Sequence, residues 1–198
     1  MIRTILIAIL VLLVNVGNAQ TKIEWSPEVE LGIANFKSEQ TEINSDLESN
    51  FVQTGAYMNF NYQMSSYEFM FTKNFNSKVS TEFVESAAVI SAVDSTTADF
   101  MVDFVQYNFD LTELYARKFR KEIYEEKGAF SSSDFFLPIF EKYQKELTSE
   151  NARVSKLTEL GKKSELLKSE RQRVLKEIEI LSDYCKSCKP PKSKKKRN

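Results

Sequence analysis

The chain has 198 residues, with 27 Lys and Arg against 28 Asp and Glu, and it contains no histidine. Its 15 Phe and 8 Tyr are enough to fill a hydrophobic core, so the composition predicts a globular protein. The lack of histidine excludes the usual zinc site, a histidine general base and any Ser-His or Cys-His nucleophile. A hydrolase of this composition would need paired carboxylates or a Ser-Lys pair instead.

Residues 1–19 have the pattern of a secretory signal peptide. Arg3 precedes an apolar run at 5–14 that is too short to span a bilayer, and Gly17 and Ala19 place small residues at the end of the segment. The alternative interpretation is an uncleaved anchor helix. We expect an exported protein of the periplasm, cell surface or extracellular medium, with no transmembrane span after cleavage.

Residues 20–138 are predicted to form an α+β domain that begins with β structure. One or two short strands are expected between Trp25 and Phe36, followed by a polar loop. Residues 51–64 alternate apolar and polar side chains, which is typical of a half-buried antiparallel strand. Residues 65–75 repeat the alternation after a Ser-rich turn, so the two segments predict a long hairpin.

A long helix is predicted from Asp94 to about Lys127, because DSTT offers capping residues and Gly128 follows the last turn. Glu113 and Arg117 have i,i+4 spacing outside its apolar arc, which predicts a surface ion pair. We expect this core helix to lie on the sheet. The arc consists of Phe100, Phe104, Leu111, Leu114, Tyr115 and Phe119.

The rest of the chain divides into a helical arm and a basic tail. Residues 139–184 carry a helical apolar stripe with a break expected at Gly161, and this arm is a candidate surface for homo-oligomers. Residues 185–198 carry seven basic residues and no acid, and the part from Lys189 onward is predicted to be disordered. The tail suits polyanionic surfaces such as lipid headgroups or envelope polymers. Sequence-specific nucleic-acid binding is not predicted, because no aromatic residue lies between the charges.

Cys185 and Cys188, in the sequence CKSC, are the only cysteines. Zinc would need two further thiolates or imidazoles, and a helix before the motif with Pro-Pro after it does not fit a thioredoxin-type site. In an exported protein we expect a disulfide that either closes the end of the helix or joins two chains.

FDLTELYARKFRK, at residues 109–121, resembles part of a family of predicted secreted bacterial zinc-dependent peptidases. Members of that family carry HExxH directly before FD, and they begin with a Trp and a short strand. Members also have a strand that ends in a Phe-x-x-x-Ser segment, and FNSKVS, at residues 75–80, is loosely similar to it. The resemblance extends over about residues 25–181, although only FDLTELYAR is specific. It implies a zincin-like antiparallel sheet packed on the long helix.

The same resemblance implies that the metal site has been lost. The two histidine positions of HExxH fall on Phe104 and Asn108, and the general-base position falls on Val105. Phe has no lone pair for a metal, Val cannot take a proton, and Asn offers only a weak amide oxygen.

A second family segment, Tyr-Asp-x-Glu-Thr-x-His-Gly, occurs in the C-terminal helical region of the family. Its best register here is VSKLTELG, residues 154–161, where Thr158 and Gly161 match. The acidic and histidine positions of that segment become Ser155, Leu157 and Leu160. Both ligand segments have thus lost their metal-binding side chains.

We therefore predict a non-catalytic relative of these peptidases, with no cofactor, that binds or scaffolds an unidentified protein or polyanionic surface of the bacterial envelope. Phe104, Asn108 and Asp110 form the candidate residual cleft. Asn108 is alternatively a buried amide bonded to neighbouring backbone, and Asp110 is placed with Asp99 and Asp103 on a solvated helix edge. The other interpretations are a residual hydrolase with an atypical metal or carboxylate site, and a structural protein that self-associates through its C-terminal helices.

Overall fold

The computed structural model describes residues 21–191; the predicted signal peptide and residues 192–198 of the predicted tail lie outside that range. The strands are β1 (Lys22–Glu24), β2 (Glu42–Ile43), β3 (Phe51–Gln53), β4 (Ala56–Phe60), β5 (Val79–Val84) and β6 (Val89–Ala92). The helices are α1 (Ser66–Phe71), α2 (Ser95–Glu126), α3 (Phe136–Thr158) and α4 (Ser164–Ile180). The α+β class is confirmed. Within the described range, no helix combines the length and the apolar character needed to cross a membrane.

The strands form two small sheets rather than one. The order β1-β5-β4 is antiparallel throughout, whereas in β2-β6-β3 the first pair is parallel. The predicted long strand bends at Gly55, whose carbonyl accepts a hydrogen bond from the Val84 N–H at 2.9 Å. A Cβ at Gly55 would collide with the Val84 carbonyl, so only glycine permits this close approach. The bend moves β3 and β4 into different sheets.

The predicted hairpin between residues 51–64 and 65–75 is wrong. β4 pairs with β5, and the segment between them forms α1. Ser65 caps α1 by accepting a hydrogen bond from the Glu68 N–H at 3.1 Å, which satisfies a free donor at the start of the helix. Only Phe69 of this helix is buried. Aromatic residues that alternate with other side chains predicted a strand here. The hydrogen bond between Ser65 and the Glu68 N–H favours a helix instead.

The long helix α2 agrees with its predicted bounds. Asp94 caps it by accepting a hydrogen bond from the Thr97 N–H at 2.7 Å, and Lys127 is the residue after the last turn. Most side chains between Ala98 and Tyr124 are buried, on all sides of the helix, because the sheets, α3 and α4 all pack against it. Burial of the whole circumference means that the polar residues of α2 need partners within the protein.

The helices of the predicted arm lie against α2 rather than projecting from the domain. α3 begins earlier than predicted, and the break at Gly161 is confirmed. Glu159, Leu160 and Gly161 have φ values of 52°, 57° and 93°, so three successive residues adopt the left-handed conformation. Such backbone costs about 1–2 kcal/mol for each non-glycine residue, which makes this α3–α4 turn a strained part of the fold.

Two hydrophobic clusters meet along α2. The first joins α2 to α3 and α4, and it includes Phe104, Tyr107, Leu111, Tyr115, Phe119, Tyr143, Val154, Leu167 and Val174. The second joins α2 to the N-terminal segment and β6, and it includes Leu31, Phe36, Phe83, Ile90, Val105 and Phe109. Leu160 packs against both clusters.

Glu85, in the turn between β5 and β6, gives the fold a testable pH dependence. Lys37 and Asn35 donate hydrogen bonds to its carboxylate, and the Lys37 bond is the main reason that its pKa falls from 4.5 to about 2. A lowered folded-state pKa contributes stability above pH 4.5, and that stability is lost as the pH falls towards 2. We expect Glu85→Gln to lower the free energy of unfolding by about 1–2 kcal/mol at pH 7, and by less as the pH falls from 4.5 towards 2.

Urea unfolding at pH 7, 4 and 2.5 checks this expectation. Lys37→Gln is the partner control: it should lower stability at pH 7 and reduce the further effect of Glu85→Gln. A Glu85→Gln effect that stays constant from pH 7 to 2.5 would contradict the assignment.

Candidate functional site

The residues at the family's HExxH positions are closed to solvent. Phe104 is 4% exposed, Asn108 is 3% exposed and Val105 is fully buried. Phe104 lies in the first cluster and stacks with Tyr107 at 6.3 Å between ring centroids, while Val105 lies in the second cluster. The candidate cleft residues Phe104, Asn108 and Asp110 are therefore interior residues here, each less than a tenth exposed.

The second family segment lies directly against the first. Gly161 is buried on α2: a Cβ there would collide with the Phe100 carbonyl and approach the Phe104 Cβ to 3.3 Å. Thr158 is also buried, and its hydroxyl accepts a hydrogen bond from the Gly161 N–H at 3.2 Å. Leu160, at the family's histidine position, joins the cluster that contains Phe104. The fold thus brings the two segments into contact.

Glu113 and Arg117 form a buried ion pair, so the predicted surface pair is wrong. Glu113 Oε1 accepts hydrogen bonds from Arg117 Nε and Arg120 Nη1, both at 2.9 Å, and Oε2 accepts one from the Thr81 hydroxyl at 2.8 Å. All three charged side chains are less than a tenth exposed. Two guanidinium groups therefore share a single carboxylate in the interior.

The two arginines also connect α2 to the C-terminal turn and to the sheet. Arg117 Nη1 donates to the Ile178 carbonyl at 2.9 Å, and its guanidinium lies 5.5 Å from the centre of the Trp25 ring. Arg120 donates to the carbonyls of Tyr184 at 3.1 Å and Val79 at 2.9 Å. The Arg120 Nε has no protein partner. These bonds give Arg117 and Arg120 a structural role in α2.

Asp110 is a buried acid, so the predicted solvated edge is wrong at this position, although Asp99 and Asp103 are exposed. Its carboxylate accepts hydrogen bonds from Trp25 Nε1 at 2.9 Å and from Arg171 Nε at 2.7 Å. Burial raises the pKa of Asp110, while these two donors oppose the rise. Trp25 and Asp110 are thus in direct contact.

Cys185 and Cys188 form a disulfide within the chain, at the end of the last helical turn. Asn74 and Asn76 both donate hydrogen bonds to the Cys188 carbonyl at 3.1 Å, which ties this turn to the segment before β5. Cys185 also lines a cavity of about 530 Å³ next to Trp25 and the buried arginines. The disulfide thus closes a turn that covers the charged network.

The residues at the positions that the resemblance assigns to metal ligands and the general base do not fit a metal. Phe104, Val105 and Leu160 have no donor atom, and Asn108 supplies at most one weak amide oxygen. Among residues 21–191, no three or more Asp, Glu or Cys side chains are grouped so that they could hold a metal ion.

Comparisons with protein-family models, with curated proteins and with solved structures find no match to this chain. The resemblance therefore depends only on the residues quoted above.

Sequence reasoning missed the partners of the polar residues in α2. Glu113, Arg117 and Arg120 lie on one face of the helix, at spacings of four and three, and this charged stripe was the signal that could have found the network. No local pattern could have found Arg171, because it lies 61 residues from Asp110.

Proposed function

We propose that this protein is an exported, non-catalytic relative of secreted bacterial zinc metallopeptidases, and that it binds or scaffolds a component of the cell envelope. One observation carries the proposal: Phe104 and Leu160, at two family histidine positions, pack in one hydrophobic cluster. Val105, at the position of the general base, is fully buried in the second cluster. Apolar packing in place of a metal avoids the cost of an empty buried polar site.

The part of the motif that remains also supports a scaffold without chemistry. Asp110, Glu113 and Arg117 are all held in hydrogen bonds to other parts of the protein. Their hydrogen bonds stabilise the fold, and none of these side chains needs a substrate as a hydrogen-bond partner. A protein with this fold and with apolar side chains in place of the metal ligands can still bind a partner through its surface.

Metal and activity measurements on the chain from Gln20 onward test the proposal. After incubation with zinc and desalting, elemental analysis should find no stoichiometric metal, and casein and mixed peptide libraries should remain uncut. One bound zinc per chain, or cleavage that a chelator stops, would support the residual hydrolase instead.

Restoring the ligands gives a sharper test of the peptidase ancestry. A variant with Phe104→His, Val105→Glu, Asn108→His and Leu160→His should bind one zinc ion, since Gly161, next to Leu160, packs on Phe104. The matched control carries histidines at Leu111 and Tyr115, which have the same i,i+4 spacing in the first cluster. That control should bind no stoichiometric zinc.

The outcome of the restored variant is read with circular dichroism and zinc analysis together. Folding that depends on zinc, or one zinc per folded chain, supports the proposed ancestry. A folded variant that binds no more zinc than the control would contradict it.

A further inference from the structure

The cavity of about 530 Å³ beside the buried arginines of α2 has the features of a small-molecule site. We call it the arginine cavity. Its walls come from the end of β1 and the residues after it, from β5, from α2 and from the turn that the disulfide closes. Its lining includes Trp25, Pro27, Glu113, Arg117, Arg120 and Lys186. Its volume is in the range of protein cavities that hold small molecules.

The buried charges at the arginine cavity are not balanced. Arg117 and Arg120 both donate to the Glu113 carboxylate. Their other acceptors among the described residues are uncharged backbone carbonyls. Two guanidinium groups and one carboxylate, each less than a tenth exposed, have one positive charge in excess. Because a buried charge is costly unless an opposite charge compensates it, the cavity favours an anion.

The Nε of Arg120 is a buried donor that lacks an acceptor among the described residues. The side chain is 1% exposed, and its other two nitrogens donate to Glu113, Tyr184 and Val79. Most buried donors in proteins have an acceptor, and one without an acceptor destabilises the fold. Since Arg120 lines the arginine cavity, a ligand oxygen can supply the acceptor.

The arginine cavity also has an apolar part and a rim that can open. The Trp25 ring is held in place by Arg117, 5.5 Å from its centre, and by the hydrogen bond from its Nε1 to Asp110. At the rim, Lys186 and Glu24 form an ion pair at 2.7 Å, and their side chains are 39% and 54% exposed. Exposed pairs contribute little to stability, so this pair can separate to admit a ligand.

We propose that the arginine cavity binds a small organic carboxylate, with its negative charge at the two arginines and its apolar part beside Trp25. Guanidinium groups match carboxylates in charge and in the geometry of their donors. One excess positive charge neutralises a monoanion, whereas a doubly charged phosphate would add an uncompensated negative charge. None of the lining residues is at a position that the resemblance assigns to a metal ligand or the general base, so the inference does not depend on the proposed function.

The fluorescence of Trp25 tests the proposal, because Trp25 is the only tryptophan of the chain and it lines the cavity. The chain from Gln20 onward, which contains every described residue, is titrated with sodium phenylacetate at constant ionic strength. We expect a saturable change with a dissociation constant below about 1 mM. Two further probes are phenylacetamide, which has a similar shape and no charge, and sodium phosphate at pH 8, where it is a dianion. Both should bind at least about tenfold more weakly.

Two variants remove positive charge from the cavity. Arg117→Gln leaves a balanced pair of Glu113 and Arg120, and it should weaken phenylacetate binding at least about tenfold. Lys186→Glu changes the exposed rim and leaves the buried network intact, and it should weaken binding at least about threefold.

The matched control is Lys142→Glu. Lys142 is likewise an exposed lysine paired with a glutamate, Glu122, at 2.6 Å, and it does not line the cavity. Binding in that variant should stay within about 1.5-fold of the parent. Circular dichroism first checks that each variant is folded. If Arg117→Gln does not fold, the comparison of the two lysine variants decides the outcome.

Three results would overturn the proposal. The first is a Trp25 fluorescence that shows no saturable change with phenylacetate up to about 10 mM. The second is binding of phenylacetamide or phosphate as tight as that of phenylacetate. The third is an equal affinity for phenylacetate in the Lys186→Glu and Lys142→Glu variants, which would place the ligand away from the arginine cavity.

Discussion

Glu113→Ala is expected to lower the free energy of unfolding by about 3–5 kcal/mol. The change leaves Arg117 and Arg120 buried with no carboxylate, and it removes the acceptor of the Thr81 hydroxyl. An uncompensated buried charge costs far more than an exposed ion pair contributes. Urea unfolding followed by circular dichroism measures the loss, with the midpoint and the slope fitted separately.

The matched control for this prediction is Glu68→Ala, which removes the partner of Lys78 in an exposed pair with a 2.8 Å contact. That variant should lose no more than about 1 kcal/mol. If both substitutions cost about the same, the pairing of Glu113 with the two arginines does not stabilise the interior as described.

Gly161→Ala is expected to lower the free energy of unfolding by at least about 2 kcal/mol. The residue has a φ of 93°, and a Cβ there would collide with the Phe100 carbonyl. The α3–α4 turn would have to lift away from α2, which would open the contact with Phe104. Thermal and urea unfolding both report this change, and the matched control is another glycine.

Gly32→Ala is that control, because Gly32 has a φ of −130° and no atom lies within 4 Å of its added Cβ. We expect an effect within about 0.5 kcal/mol. Equal effects at the two glycines would mean that the α3–α4 turn does not press on α2 as closely as the structure has it.

The sequence predicted the elements whose signals are local. α2 was found because Asp94 caps its start and Gly128 follows its end, and the break between α3 and α4 was found at Gly161. α1 was missed although its capping signal, Ser65 followed by Glu68, was present, because the alternation of Tyr67 and Phe71 with polar residues favoured a strand.

The candidate site was less predictable, because its polar partners come from distant parts of the chain. The pattern of apolar residues in α2 predicted that Glu113 lies outside the core. A prediction of this kind uses only the apolar residues, and it takes one face of the helix to be exposed to water. α2 is buried on every side, so its charges pair inside the protein. Trp25 lies 85 residues from Asp110, and no pattern within one helix indicates such a contact.

The arginines of α2 depend on acceptors at the end of α4 and in the turn after it, which are synthesised late. Arg117 and Arg120 find carbonyl acceptors 61 and 64 residues later, at Ile178 and Tyr184. A nascent chain that has not yet reached Ile178 leaves both guanidinium groups without those acceptors, so α2 cannot yet make all of its native contacts. An incomplete chain is therefore expected to stay loosely packed, and open to proteases, until the end of α4 and the turn after it have been synthesised.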